Sequence, residues 1–121
     1  MQHFLVVLAV LLAVHAFFDF PGQGEFLSAM KSGRVEIFPW WYGLTVHALI
    51  QGVATGSVAW LFVPKAAFVI GFCEFIWHWV IDMFRVKNFI GAMTDQGLHI
   101  ACKLLFALSL ALPAFTVVWH P

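Results

Sequence analysis

The sequence predicts an all-α membrane protein: a bundle of four transmembrane helices with a short interfacial segment between helices 1 and 2. Of the 121 residues, 63% are hydrophobic and only 10% are charged, whereas soluble domains carry about 25% charged residues. Four apolar stretches approach the roughly 20 residues that cross a hydrocarbon core about 30 Å thick. The length suits one integral membrane domain, residues 1–121.

The predicted spans cover about residues 2–20, 40–63, 66–84 and 95–119. The first ends at Pro21-Gly22, a pair that breaks helices. It begins like the apolar run of a signal peptide, but neither Lys nor Arg precedes it, so we expect a retained helix. Residues 25–31 predict the short interfacial helix, and Pro64-Lys65 predicts a tight hairpin between the second and third spans.

Basic residues predict the orientation of the chain in the membrane. The loops at 21–39 and 85–94 lie on one side of four alternating spans, and the termini lie on the other. By the positive-inside rule the loops are cytoplasmic and the termini lie outside. Membrane lipid is the predicted partner, a homo-oligomer or a partner membrane protein stays open, and the zero net charge argues against nucleic acid. The basic residues are Lys31, Arg34, Arg85 and Lys87 in the loops, against Lys65 on the opposite side.

Each Asp of the chain has a His four positions away, and residues at i and i+4 share one side of a helix. A further His, His47, lies about two turns inside the second span. On the predicted topology all four spans bring these groups to the cytoplasmic end at similar depth. We therefore predict one shared polar site that faces inward. The pairs are His15–Asp19, His78–Asp82 and Asp95–His99.

Placing such groups in lipid costs free energy. Metal sites in the cores of helix bundles are built from imidazoles and carboxylates that converge from several helices. The donors suit Zn²⁺, Mn²⁺ or Fe²⁺, since the cluster contains no Cys. We therefore predict a divalent metal cofactor, foremost Zn or Mn. There are more donors than one tetrahedral ion binds. Some of them could instead orient the ligands, or a second ion could be bound. The predicted metal ligands are His15, Asp19, His47, His78, Asp82 and His99.

Other polar residues continue these stripes. Glu74 and Asp95 are predicted as general bases, although a structural pairing of Glu74 with Lys103 stays open. The GxxxG pattern at Gly52 and Gly56 predicts a close helix contact. The residues predicted to hold an anionic substrate are Gln23, Lys31, Lys87, Gln96 and Lys103.

Four blocks between His15 and Lys103 resemble, in order and spacing, the DUF3307 family of small bacterial and phage membrane proteins. They read HAFFDFPGQGEFLSAMK, HALIQG, EFIWHWVIDMFRVK and DQGLHIACK. The resemblance implies a polytopic membrane protein, which together with the charge-based orientation predicts a bacterial inner membrane and periplasmic termini. It implies no particular reaction, because none is assigned to the family. It marks as motif positions His15, Asp19, Gln23, Lys31, His47, Glu74, His78, Asp82, Lys87, Asp95, Gln96 and His99.

Three functional hypotheses follow. In the first, the metal activates water and the protein hydrolyses a membrane-associated substrate, either a lipid-linked phosphoester or a membrane-anchored amide. In the second, the cluster relays protons or a divalent ion in a transporter or channel, but the periplasmic halves of the spans offer no second set of ligands. In the third, the protein is a structural, regulatory or holin-like subunit whose polar groups lock the helices together.

Overall fold

The computed structural model describes residues 2–112. In this part of the chain the regular structure is five α-helices and one 3₁₀ turn, with no strand, so the all-α class is confirmed. The 3₁₀ turn at Pro64–Ala66 occupies the predicted hairpin. The helices are α1 (Gln2–Asp19), α2 (Gly24–Lys31), α3 (Trp40–Phe62), α4 (Ala67–Val86) and α5 (Ala92–Ala111).

Three segments among the described residues are long and apolar enough to cross a membrane: Gln2–Asp19, Trp40–Phe62 and Pro64–Val86. They correspond to the first three predicted spans. α5 begins at Ala92, three residues before the predicted fourth span, and is not among these candidates. The last part of that predicted span, residues 113–119, lies outside the described residues. The fourth span and the four-helix transmembrane bundle therefore stay predictions.

The short helix α2 packs on the beginning of α3 at a glycine. A Cβ atom on Gly43 would lie 2.8 Å from the Lys31 nitrogen and 2.9 Å from Cβ of Met30. Because real Cβ atoms do not approach backbone this closely, only glycine lets the two helices touch here. The contact fixes the end of α2, where Lys31 is the last helical residue.

Helices α3 and α4 form an antiparallel hairpin with a very close approach at glycines. A Cβ on Gly52 would lie 2.8 Å from the carbonyl oxygen of Gly71, and one on Gly71 would lie 3.1 Å from Cα of Gly56. The predicted close contact of the GxxxG pattern is therefore present. It brings His47, near the start of α3, beside His78, near the end of α4.

Buried side chains divide into two regions along the long helices. The apolar core contains Val7, Leu11, Val58, Ala59, Val63, Ala66, Ala67, Ile70, Phe106, Ala107 and Leu110. The polar cluster contains Asp19, whose side chain is nearly buried, and ten buried polar residues. These ten are His15, His47, Gln51, Thr55, Glu74, His78, Asp82, Asp95, His99 and Lys103. Each of α1, α3, α4 and α5 contributes to both regions.

Candidate metal centre

The predicted His–Asp pairs lie on common helix faces, but they are not the closest contacts of the polar cluster. The distances from His Nε2 to the nearest carboxylate oxygen within these pairs are 4.0 Å in α1, 3.7 Å in α4 and 3.8 Å in α5. These separations are too long for direct hydrogen bonds. The four-residue spacing therefore aligns the groups on one side of each helix, and contacts between helices hold them together.

The short contacts join different helices. His47 Nε2 lies 3.0 Å from Asp19 Oδ1, and His99 Nε2 lies 3.2 Å from Asp82 Oδ1. The Nε2 atoms of His47 and His78 face each other at 3.1 Å. These contacts link α1 to α3, α5 to α4 and α3 to α4, so all four long helices meet at the cluster.

Three donor atoms converge from α1, α3 and α4. Asp19 Oδ1, His47 Nε2 and His78 Nε2 are separated from one another by 3.0, 3.1 and 3.7 Å. A tetrahedral ion bound at about 2.0–2.1 Å holds its ligand atoms about 3.3–3.4 Å apart. Asp82 lies beside these atoms, with Oδ2 3.7 Å from His47 Nε2 and Oδ1 3.7 Å from His78 Nε2. The three donor atoms of Asp19, His47 and His78 could hold one metal ion.

The His78 ring is held from its other side by Glu74. Its Nδ1–H group donates to Glu74 Oε1 at 3.1 Å, and the same oxygen contacts the ammonium group of Lys103. A proton on Nδ1 leaves the lone pair of Nε2 free for a metal. Carboxylates in this position orient histidine ligands in metal proteins.

Two further donor sets lie beside this one: His15 with His78 and His99, which shares His78 with it, and Asp82 with Asp95 and His99, which shares no residue with it. The atoms of each set lie within 4.8 Å of one another. The His99 ring stacks on His78 with centroids 4.1 Å apart, and neither ring nitrogen of His15 has a hydrogen-bond partner among the described residues. The set of His15, His78 and His99 shares one histidine with each of the other two, so the three sets are adjacent within one polar cluster.

The polar cluster contains more carboxylates than ammonium groups. Four carboxylates, those of Asp19, Glu74, Asp82 and Asp95, face two ammonium groups, those of Lys31 and Lys103. With ionised carboxylates and neutral imidazoles the net charge would be minus two, which is costly away from water. Either one divalent ion or protons on two of the imidazoles would neutralise this set.

A family model matches residues 7–120, and its description is a protein of unknown function, DUF3307. The chain belongs to the DUF3307 family. No curated protein and no solved structure matches it. The resemblance seen in the four sequence blocks is therefore confirmed, while the bacterial or phage origin that it implies stays a prediction.

Within this DUF3307 chain, the residues predicted to hold substrate lie in different surroundings. Lys31 Nζ donates to Asp82 Oδ2 at 2.8 Å, with 17% of its side chain exposed. Gln96 Nε2 donates to Asp19 Oδ2 at 2.7 Å. Gln23 is half-buried, and Lys103 is completely buried against Glu74. The exposed Lys87 places its ammonium group 4.2 Å from the ring centroid of Trp40.

The cluster extends along α3 beyond the predicted ligands. Gln51 is completely buried, and its Nε2 donates to the carbonyl oxygen of His15 at 3.4 Å. The sequence indicates Gln51, because it lies four residues after His47 on the same helix face. Thr55 is also buried and was not predicted, although it lies one further four-residue step along that face.

Proposed function

We propose that this protein is a membrane-embedded, divalent-metal-dependent hydrolase. Its ion would be held by Asp19, His47, His78 and Asp82, at the end of the long helices predicted to face the cytoplasm. The convergence of three donor atoms at 3.0–3.7 Å from one another is the observation that carries the proposal. The excess of carboxylates over ammonium groups in the polar cluster is compatible with it, because a divalent cation would balance that excess.

A bound ion of this kind polarises a scissile group and lowers the pKa of bound water. The remaining polar residues divide the other tasks among them. Glu74 is occupied by His78 and Lys103, whereas Asp95 Oδ1 has no hydrogen-bond partner among the described residues. Asp95 lies beside the cluster through His99, 3.8 Å away. We therefore assign the general base to Asp95.

Lys31 is the cation best placed to meet an anionic substrate. Its ammonium group reaches Asp82 from α2 and is still partly exposed, so a substrate arriving from the α2 side would encounter it. Gln96 Nε2 donates to both Asp19 and Asp95, at 2.7 and 3.2 Å, and would fix the position of one carboxylate relative to the other. A lipid-linked phosphoester and a membrane-anchored amide both suit this arrangement.

The test is hydrolysis by the full-length protein in liposomes, with a phosphatidic acid and an N-acyl peptide as substrates. We expect turnover that a chelator removes and that Zn²⁺ or Mn²⁺ restores. His47→Ala should abolish turnover, because it removes a donor from the triad. Lys65→Ala, an exposed change at the opposite hairpin, should leave it unchanged. Turnover that survives both chelation and His47→Ala would contradict the proposal.

A proton or ion relay is the second candidate, and one observation favours it. Contacts run continuously from Asp19 through His47, His78 and Glu74 to Lys103. Beyond this chain the described helices bury the apolar core, which offers no further donors. Proton or divalent-ion flux in proteoliposomes distinguishes the two candidates, because the hydrolase predicts none.

A further inference from the structure

Glu74 and Lys103 form a buried ion pair between α4 and α5. Glu74 is 1% exposed and Lys103 is 0% exposed, and the Lys103 ammonium group contacts Glu74 Oε1. Replacing a buried ion pair by well-packed apolar residues is often neutral or stabilising. The apolar core formed by the same helices provides such packing. Helix association therefore does not explain why the pair is present.

The pair is connected to the metal centre through a single oxygen atom. Glu74 Oε1, which contacts Lys103, also accepts the Nδ1–H group of His78 at 3.1 Å. The opposite edge of that ring carries Nε2, 3.1 Å from His47 Nε2. The imidazole thus stands between the ion pair and the donor atoms. Any rotation of the Glu74 carboxylate would be transmitted to the ligand atom of His78.

Lys103 is the second anchor of that carboxylate. The other oxygen, Glu74 Oε2, has no hydrogen-bond partner among the described residues. The position of Glu74 therefore depends on Oε1 and its two contacts, with His78 and with Lys103. The ammonium group of Lys103 also lies 5.9 Å from the ring centroid of Phe106, on the side of the apolar core. It is thus directed into the interior, away from an incoming substrate.

We propose that Glu74 and Lys103 are positioning residues of the metal centre. Lys103 fixes the carboxylate of Glu74, and Glu74 holds His78 in the tautomer and ring orientation that turn Nε2 toward the ion. These roles replace general-base action for Glu74 and anion binding for Lys103. The inference rests on the proposed metal binding, and it adds an outer layer of residues that sets the affinity of the site.

The experiment measures Co²⁺ affinity and the visible absorption spectrum of bound Co²⁺ in the detergent-solubilised full-length protein. In Glu74→Leu/Lys103→Met, which replaces both charges by apolar groups, we expect unfolding stability close to that of the wild type. We expect the Co²⁺ affinity to fall by about 10–100-fold, as is typical when an outer partner of a ligand is lost. The spectrum should also change, because the His78 ring is released.

Two matched variants separate positioning from a general effect of core substitution. Leu110→Ala changes a buried residue of α5 in the apolar core, outside the polar cluster, and should change neither affinity nor spectrum. Glu74→Gln/Lys103→Met keeps an amide oxygen that accepts the His78 Nδ1–H group. We expect this variant to recover part of the affinity, because the Nδ1–H group keeps an acceptor, but not all of it, because Lys103 no longer fixes the side chain at position 74.

If folded Glu74→Leu/Lys103→Met keeps the Co²⁺ affinity and the absorption spectrum of the wild type, the positioning role is overturned. The proposed metal site itself would not be affected by that result. If that variant does not fold, the charge-swapped Glu74→Lys/Lys103→Glu decides, since it keeps an ion pair but offers His78 no acceptor at position 74. A 10–100-fold loss of affinity there supports positioning, and wild-type affinity overturns it. Absence of Co²⁺ binding by the wild type would overturn the proposed function and this inference together.

Discussion

The polar cluster and the apolar core come from the same helices but are held together by different forces. Along α1, Val7 and Leu11 pack into the apolar core, and His15, one turn further on, belongs to the polar cluster. In the apolar core the contacts are van der Waals packing. In the polar cluster they are directed contacts between different helices, such as His47 with Asp19 at 3.0 Å and Gln96 with Asp19 at 2.7 Å.

This difference in the kind of contact bears on what each region contributes to the protein. Helices in lipid associate through close packing and small residues, and each ionisable group among them adds a cost. The apolar core and the glycine contact of α3 with α4 already provide that packing. The carboxylates and imidazoles of the polar cluster therefore need a different explanation, and the proposed metal site is one.

Breaking the polar cluster at one charge should have the largest effect on stability. Lys103→Met leaves the buried Glu74 carboxylate without its cation, and we expect a loss of about 3–5 kcal/mol in the free energy of unfolding. Unfolding by a denaturing detergent, followed by circular dichroism, measures it. The exposed Lys65→Met is the control and should change stability by less than about 0.5 kcal/mol. Equal effects of the two variants would contradict an ion pair of this kind.

In the apolar core, a cavity should affect stability and leave metal binding intact. Leu11 is 1% exposed, and Leu→Ala in cores costs roughly 2–5 kcal/mol. We expect a value near the lower limit, about 2 kcal/mol, because lipid is as apolar as the core. Leu5→Ala, at a 55% exposed position of the same helix, is the matched control. Loss of bound metal in Leu11→Ala would contradict the separation of the two regions.

The helix contact that positions His47 beside His78 is tested by Gly71→Ala. The added Cβ would meet backbone atoms of Gly52 and Gly56, at 2.8 and 3.1 Å, which cannot move aside easily. We expect a loss of about 1–3 kcal/mol in the free energy of unfolding. Gly97→Ala is the control, since nothing lies within 4 Å of its added Cβ. Thermal unfolding of both variants in detergent makes the comparison, and equal stability would contradict the close contact.

The smallest effect is expected outside both regions, at Lys87. Its ammonium group lies over the Trp40 ring, and exposed cation–π pairs contribute about 0.5–1 kcal/mol. Lys87→Met should lose about that much stability with no change in bound metal. A double-mutant cycle with Trp40→Leu isolates the pair. A coupling energy of zero would show that the contact contributes nothing.

The positions of the helices and the choice of cluster residues could be predicted, because both follow from periodicity within a single helix. Apolar runs indicate the long helices, and a four-residue spacing puts His and Asp on one face. The contacts themselves could not be predicted. His47 meets Asp19 and His99 meets Asp82, while the predicted partners within each helix remain 3.7–4.0 Å apart.

The physical reason is that contacts between helices depend on how deeply and at what rotation the helices pack. Gly43 sets the approach of α2 to α3, and Gly52 and Gly71 set that of α3 to α4. No periodicity within one helix encodes these approaches. The same reason explains Lys103, whose predicted role was anion binding. Its inward direction depends on Glu74 in the neighbouring helix, a pairing that the sequence left open.

The measurement that decides most directly whether the polar cluster is a metal site is elemental analysis. The wild type and His78→Ala/Asp82→Ala would be purified in detergent without chelator or affinity-tag metal. The proposal predicts about one Zn, Mn or Fe ion per chain in the wild type, since imidazole and carboxylate donors suit these metals, and none in the variant. A wild type that contains no metal, even after incubation with Zn²⁺ and Mn²⁺, would contradict the metal site and the hydrolase built on it.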